Sequence, residues 1–151
     1  MPLFYTDASS LVKLVRDEPE SDALRAYLAA ADLVASELVL TEVPRAVRRA
    51  SARDPDLDLE LLLVRAGDVL DAVGLVPVDR ALLLAAGALA DPVIRALDAI
   101  HVAAAVDVSP LDAFVTYDQR QAAVARLAGL RTIAPGTPAS IGTADANADP
   151  G

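Results

Sequence analysis

Short apolar runs alternate along this chain with longer stretches in which apolar residues recur every three or four positions. The runs predict five β-strands, and the longer spacing predicts seven α-helices. The expected strands cover residues 3–6, 32–36, 74–78, 113–117 and 131–134. The expected helices cover residues 8–16, 20–31, 37–52, 57–72, 80–90, 93–107 and 118–128. Strands that alternate with helices predict an α/β protein with a mostly parallel sheet covered on both faces, although the pattern leaves the strand order open.

The apolar periodicity stops near residue 134. From Pro135 to Gly151, Gly, Pro, Ala, Thr and Asp dominate, a composition that buries little apolar surface. We therefore expect one domain over residues 1–134, followed by a disordered tail over residues 135–151. At 151 residues the chain is long enough to enclose a substantial core.

Four acidic residues fall where a parallel fold would bring them together. Asp7 and Asp118 each end an apolar run and precede a helical pattern, whereas Glu42 and Asp98 lie inside helical patterns with mainly apolar neighbours. In open α/β sheets, ligands bind at the edge formed by the carboxyl ends of the strands. Clustered carboxylates repel one another until a cation such as Mg²⁺ neutralises them, so the pattern predicts a magnesium site suited to phosphodiester cleavage.

Each acid also has a simpler interpretation. Asp7 and Asp118 would make good caps for the helices that follow them, as is expected of Asp79, which also follows an apolar run. The alternative for Glu42 and Asp98 is a solvated helix face, but their apolar neighbours suggest burial, which costs free energy without a partner.

Two residues are expected to shape the helix that carries Glu42. Ser36 is expected to cap this helix, and Pro44, two residues after Glu42, is expected to kink it because proline removes a backbone hydrogen bond. The direction of the Glu42 side chain is therefore the least predictable of the four.

Three segments resemble motifs of the PIN-domain ribonucleases of the VapC toxin type. The segment from Tyr5 to Leu14, with Asp7 followed two residues later by Ser9, resembles the opening motif of that family. The segment from Leu97 to Ala105 resembles its third motif, and the segment from Thr116 to Asp118 its fourth. The resemblance covers roughly residues 2 to 134, and Glu42 falls where the family carries a helical glutamate.

The resemblance implies a PIN-like α/β/α sandwich and a metal-dependent endoribonuclease that serves as the toxin of a toxin–antitoxin pair. It implies a quartet that binds Mg²⁺ or Mn²⁺ and cleaves RNA, with polar support from Ser9 and Thr116. The implied quartet consists of Asp7, Glu42, Asp98 and Asp118. A cognate antitoxin protein and a homodimer are the implied partners.

The net charge of −9 is unusual for a protein that binds nucleic acid, because affinity for phosphates normally comes from Arg and Lys. Arg45, Arg49 and Arg53 follow Glu42 at spacings of three, seven and eleven, which places them on its side of the helix. They are candidate RNA contacts, although a solvated or salt-bridged face is an equal alternative.

His101, one turn after Asp98, is interpreted as a packing residue, with the orientation of a ligand as the alternative.

Composition excludes several other functions. The chain has no Cys, which excludes disulfides, zinc thiolates and thiol catalysis. Its apolar runs are too short to span a bilayer, so we expect a cytoplasmic protein without membrane contact.

A phospho-acceptor signalling domain is disfavoured because Thr6, not an acid, precedes Asp7. An acyl-phosphate hydrolase is disfavoured because residue 9 is Ser. An inactive interaction module remains an alternative, although all four acids are retained.

Overall fold

The computed structural model describes residues 1–138 and contains five strands and seven helices in that range. The strands are β1 (Leu3–Thr6), β2 (Asp32–Ser36), β3 (Gly74–Val76), β4 (Ala113–Val115) and β5 (Thr132–Ile133). The helices are α1 (Ala8–Val15), α2 (Ser21–Leu28), α3 (Val39–Arg53), α4 (Leu59–Asp71), α5 (Arg80–Gly87), α6 (Ala96–Asp107) and α7 (Gln119–Leu127). All twelve expected elements are therefore present, with differences only at their ends.

The strands form one sheet in the order β3-β2-β1-β4-β5, with every neighbouring pair parallel. The chain adds β2 and β3 on one side of β1 and then crosses to the other side to add β4 and β5. The strand order therefore reverses between β1 and β4, where Tyr5 pairs with Phe114 and Thr6 with Val115. The crevice at such a switch point is where open α/β sheets bind ligands.

The core divides into clusters on either side of the sheet, because successive side chains of a strand point to opposite faces. Tyr5 and Phe114 pack in a cluster with buried residues of α5, α6 and α7. Ala35 packs with the buried faces of α1, α3 and α4 in a second cluster. Phe4 contributes to a third cluster with buried residues of α2 and β4. The helices thus cover both faces, and the α/β/α expectation is confirmed.

Several elements are shorter than the apolar pattern predicts. β3 stops at Val76 because Pro77 has no N–H for a ladder, and the N–H of Val78 bonds instead to the Glu37 side chain at 3.0 Å. α6 begins at Ala96 and not near residue 93, because the Asp91 carboxylate accepts from two following N–H groups and holds a separate turn.

The expected cap of α3 is wrong. The helix begins after Leu38, which makes no side-chain cap, and the Ser36 hydroxyl accepts from the N–H of Leu38 at 3.2 Å. Residues 37 and 38 form a turn between the end of β2 and the start of α3. Ser36 therefore stabilises this turn and not the first turn of the helix. α3 runs without interruption through Pro44 to Arg53, so the proline does not end the helix.

The start of the expected tail contacts the domain. The Tyr117 hydroxyl donates to the carbonyl of Pro135 at 2.7 Å, and Gly136, at φ +84°, lies against α2. These contacts involve only the first residues of the expected tail, and residues 139–151 lie outside the described part of the chain. The disorder expected over residues 135–151 stays a prediction.

Candidate metal and nuclease site at the carboxyl edge of the sheet

Asp7 lies at the centre of the site, directly after β1, and its side chain is buried at 3% exposure. It caps α1, because Oδ1 accepts from the N–H of Ser10 at 3.0 Å. Oδ1 also accepts from the Ser9 hydroxyl at 2.7 Å, and Oδ2 from the Thr116 hydroxyl at 2.6 Å. Capping explains only the first of these bonds, so Asp7 is more than a helix cap.

Thr116 links the two strand ends that meet at the switch point. Its hydroxyl donates to Asp7 and accepts from the N–H of Asp118 at 3.1 Å. Asp118 caps α7, because its Oδ1 accepts from the N–H groups of Arg120 and Gln121. The expected supporting roles of Ser9 and Thr116 therefore have a geometric basis in bonds to Asp7.

Asp98 lies in the first turn of α6, with 23% of its side chain exposed. Burial raises the pKa of its carboxyl group, and the negative charges of Asp118 and Asp7 raise it further. The exposed guanidinium of Arg95, 3.6 Å away, opposes this shift. Asp98 therefore lies close enough to Asp118 and Asp7 for their charges to disfavour its ionised form.

Glu42 projects from the first turn of α3 toward α6. Its carboxylate oxygens lie 3.0 and 3.3 Å from Nε2 of His101, which is buried at 1% exposure. Nδ1 of His101 also lies 2.8 Å from the Tyr5 hydroxyl. His101 is therefore more than a packing residue, because both of its ring nitrogens have polar partners. The alternative pairing of Glu42 with Arg45 is not among the ion pairs formed within residues 1–138.

Asp79 shows what a simple cap looks like in this protein. Its backbone angles, φ −97° and ψ 177°, nearly equal those of Asp7, φ −94° and ψ 177°. Asp79 accepts one hydrogen bond, from the N–H of Leu82 at 2.8 Å, and is exposed. The same local sequence pattern thus gives a surface cap at one strand end and a buried, multiply bonded carboxylate at another.

The donor chemistry fits a hard divalent cation. Asp7, Asp98, Asp118 and Glu42 supply carboxylate oxygens, the ligands that Mg²⁺ and Mn²⁺ prefer. The donors that reach Asp7 are hydroxyl and N–H groups, and in the described residues no Lys or Arg forms an ion pair with it. Over residues 1–138, however, no three acidic or histidine side chains are already arranged to hold one ion. The Glu42 carboxylate contacts His101 Nε2 in this arrangement.

The arginines of α3 lie on the surface. Arg45, Arg49 and Arg53 are exposed, and none of them forms an ion pair in the described part of the chain. The salt-bridged interpretation of this face therefore has no support, and the choice between RNA contact and a solvated face stays open.

Two residues of the site were not expected from the sequence. Gln121 is buried, with Oε1 3.2 Å from the Thr116 hydroxyl and Nε2 donating to the carbonyl of Asp98 at 3.4 Å. Tyr5 is buried and bonds to His101. A signal was available for Gln121, because it shares the apolar face of α7 with Val124 and Ala125.

The fold and the carboxylate-lined switch point together define an α/β protein with a nuclease-like site. The PIN domain family matches residues 4–127, and the chain belongs to that family. It is 36% identical over 140 residues to Ribonuclease VapC35 of Mycobacterium tuberculosis, a match that covers 89% of this chain and 98% of that protein. Ribonuclease VapC46 of the same species is 39% identical over 140 residues, covering 89% of this chain and 99% of the relative.

Solved structures show the same fold at low sequence identity. VapBC2 from Rickettsia felis, solved bound to a DNA fragment from its promoter, superposes with a TM-score of 0.65 at 14% identity. That match covers 88% of this chain and 98% of the other. PAE2754 from Pyrobaculum aerophilum superposes with a TM-score of 0.61 at 20% identity, covering 87% and 83% of the two chains. No helix within residues 1–138 is both long and apolar enough to cross a membrane.

Proposed function

We propose that this protein is an endoribonuclease that depends on Mg²⁺ or Mn²⁺ and acts as the toxin of a toxin–antitoxin pair. The observation that carries the proposal is the buried Asp7 carboxylate, whose donors within residues 1–138 are hydroxyl and N–H groups, and which lies close enough to Asp98 to affect the pKa of Asp98. A buried carboxylate without a cationic partner is costly, and a bound divalent ion would supply the missing charge. The names of the VapC relatives supply the substrate class, RNA.

Three of the four proposed ligands are held by hydrogen bonds from their surroundings. Asp7 is fixed by Ser9 and Thr116, Asp118 by the start of α7, and Glu42 by His101. A divalent cation held by these carboxylates supplies positive charge for phosphate oxygens and makes water a stronger nucleophile. The protein itself orients these carboxylates and leaves Asp98 and Glu42 partly open to solvent.

A cleft that includes Asp118 is the proposed place for part of the RNA. This cleft of about 760 Å³ opens next to Asp118, lined by Arg126, Thr132 and residues 134–138 among others. Separately, Arg45, Arg49 and Arg53 form an exposed row along α3, which carries Glu42 in its first turn. Because the net charge is −9, phosphate contacts must come from such local arginines.

The proposed partner is a cognate antitoxin, as the VapBC2 structure suggests. An acidic site favours a basic inhibitor, and an arginine would pair bidentately with these carboxylates. We also propose a homodimer, as the family resemblance implies.

Expression of this chain alone should arrest growth, and co-expression with the antitoxin should restore growth and yield a complex that copurifies. Harmless expression of folded wild-type protein would count against the toxin role.

Cleavage of single-stranded RNA by the purified chain tests the chemistry. We expect cleavage with Mg²⁺ or Mn²⁺, none with EDTA, and loss of activity in Asp7→Asn and Asp98→Asn variants that still fold. Asp79→Asn is the matched control, because Asp79 has the backbone conformation of Asp7 without its site contacts. Wild-type cleavage rates in Asp7→Asn or Asp98→Asn would refute the site, and a folded but inactive wild type would favour the inactive interaction module.

A further inference from the structure

A chain of hydrogen bonds runs from the core through four separate elements and ends at the partly exposed Glu42. The N–H of Ser36, at the end of β2, donates to the Tyr5 hydroxyl of β1 at 3.0 Å. The Tyr5 hydroxyl lies 2.8 Å from Nδ1 of His101 on α6, and Nε2 of His101 lies 3.0 Å from Oε1 of Glu42 on α3. The chain therefore joins the core cluster of α6 to that of α3 across the carboxyl edge of the sheet.

The direction of each bond follows from counting protons. A phenol has one proton, and the Tyr5 oxygen already accepts from the N–H of Ser36, so its own proton is left for Nδ1 of His101. A ring nitrogen that accepts a hydrogen bond carries no proton, so with Nδ1 as the acceptor the imidazole proton lies on Nε2, which then donates to Glu42. The reverse tautomer would leave the Tyr5 proton without a partner in the core, which costs free energy.

The surroundings hold this arrangement in place. Tyr5 and His101 are 0% and 1% exposed. The Tyr5 ring stacks on Phe114 with centroids 4.8 Å apart and meets the edge of His101 at 5.9 Å. Burial raises the pKa of the Tyr5 hydroxyl above its ordinary value, so it remains protonated and able to donate.

We propose that Tyr5 and His101 are positioning residues, which orient the Glu42 carboxylate for the cation by fixing His101 as the Nε2–H tautomer. The proposal rests on the proposed function in one respect, the role of Glu42 as a metal-binding group. A hydrogen bond to one ring nitrogen of a histidine fixes its tautomer and the orientation of its ring. The other ring nitrogen then holds a carboxylate in one orientation, as supporting groups do around many metal sites. Glu42 lies on the first turn of α3, partly open to solvent, and would otherwise sample several rotamers.

The tautomer is directly measurable because His101 is the only histidine in the chain. Two-bond ¹H–¹⁵N NMR spectra of metal-free wild-type protein should show a single Nε2–H tautomer. Tyr5→Phe, which removes the hydroxyl and keeps the ring, should give a mixture of the two tautomers. Tyr27→Phe is the control, since Tyr27 stacks on Phe4 away from the chain of bonds, and should leave the spectrum unchanged. A mixed or Nδ1–H spectrum in the wild type would overturn the proposal.

Mn²⁺ titration followed by electron paramagnetic resonance tests the consequence for Glu42. His101→Leu should weaken Mn²⁺ binding about 10-fold, and His101→Gln, which can still donate to Glu42, should recover most of that loss. In a Glu42→Gln background, His101→Leu should have no further effect, because both changes remove the same contribution. If His101→Leu does not fold, Tyr5→Phe replaces it in this comparison, with a smaller loss expected.

The outcomes separate this inference from the proposed function. Weaker Mn²⁺ binding in Glu42→Gln but wild-type binding in His101→Leu and Tyr5→Phe would refute the positioning role and leave the metal site intact. Wild-type binding in Glu42→Gln would refute the role of Glu42 in metal binding, and the positioning proposal with it.

Discussion

The Thr116 hydroxyl donates to Asp7 Oδ2 at 2.6 Å, although the two residues are 109 positions apart in the chain. The bond spans the switch point, because Asp7 follows β1 and Thr116 follows β4. It fixes one oxygen of a buried carboxylate while Ser9 and the start of α1 hold the other. The position of the proposed metal ligand is therefore determined jointly by two strands and the helix that follows the first.

Loss of the Thr116 hydroxyl should destabilise the protein and weaken metal binding together. A hydrogen bond to a buried charged group contributes about 1.5–3 kcal/mol, so Thr116→Val should lower the free energy of unfolding by that amount. Thr116→Ser, which keeps the hydroxyl, should retain most of the stability. Urea unfolding in EDTA measures the difference. Equal stability of the Val and Ser variants would show that the bond contributes little.

Removal of the Asp98 charge should stabilise the metal-free protein. An acid whose pKa is raised on folding opposes folding when it is ionised, so Asp98→Asn, which makes the side chain neutral, should increase the free energy of unfolding at pH 7. The gain should shrink as the pH falls through the raised pKa of Asp98 and vanish below 3.8, the ordinary pKa of aspartate, because Asp98 is then protonated in both states. Thermal unfolding in EDTA across this pH range provides the measurement.

Asp56→Asn is the control for Asp98→Asn, since Asp56 is exposed and its removal changes the net charge by the same amount. Asp98→Asn should also reduce the rise in melting temperature that millimolar Mg²⁺ gives the wild type. A metal-free Asp98→Asn variant less stable than wild type at pH 7 would contradict the repulsion inferred among the aspartates.

The arginines of α3 should contribute to RNA affinity in proportion to the phosphates they contact. Replacement of Arg49 and Arg53 by Ala should weaken binding of single-stranded RNA and reduce the slope of log affinity against log salt by about 0.7 per lost contact. Metal binding should be unaffected. Fluorescence anisotropy of labelled RNA, in an Asp7→Asn background that prevents cleavage, measures the RNA affinity and its salt dependence.

Arg48 supplies the matched control for Arg49. Both are exposed and adjacent on α3, but Arg48 is rotated about 120° from the side of Glu42 at roughly 100° per residue. Arg48→Ala should therefore change RNA affinity less than Arg49→Ala. Equal effects of the two variants, or none, would favour a solvated face.

The contact of Gly136 with α2 should be sensitive to a single methyl group. A Cβ at Gly136 would lie 3.0 Å from the Ala23 Cβ and 3.3 Å from the Glu20 Cα, at a φ of +84° that other residues rarely adopt. Gly136→Ala should therefore lower the melting temperature. In contrast, Gly67→Ala on α4 should raise stability by about 0.5–1 kcal/mol, because nothing lies within 4 Å of the added group. An unchanged melting temperature in Gly136→Ala would show that this segment does not pack in solution.

The alternation of short apolar runs with helical periodicity was sufficient to predict all twelve elements and the α/β class, because burial on one face imposes a local period. The same pattern placed Asp7 and Asp118 at strand ends, and three motifs identified the family. Element ends were less predictable. The end of β3 depends on where Pro77 meets the sheet, and the start of α3 on a turn that Ser36 caps.

Only the tertiary structure decided which strand ends meet. The order β3-β2-β1-β4-β5 places β1 beside β4, so Asp7 is buried against Thr116 while Asp79, with the same local pattern, remains a surface cap. The partners of His101 were equally inaccessible, since Tyr5 and Glu42 lie 96 and 59 positions away. Local propensity acts over a few residues, whereas these bonds depend on how strands and helices pack across the whole chain.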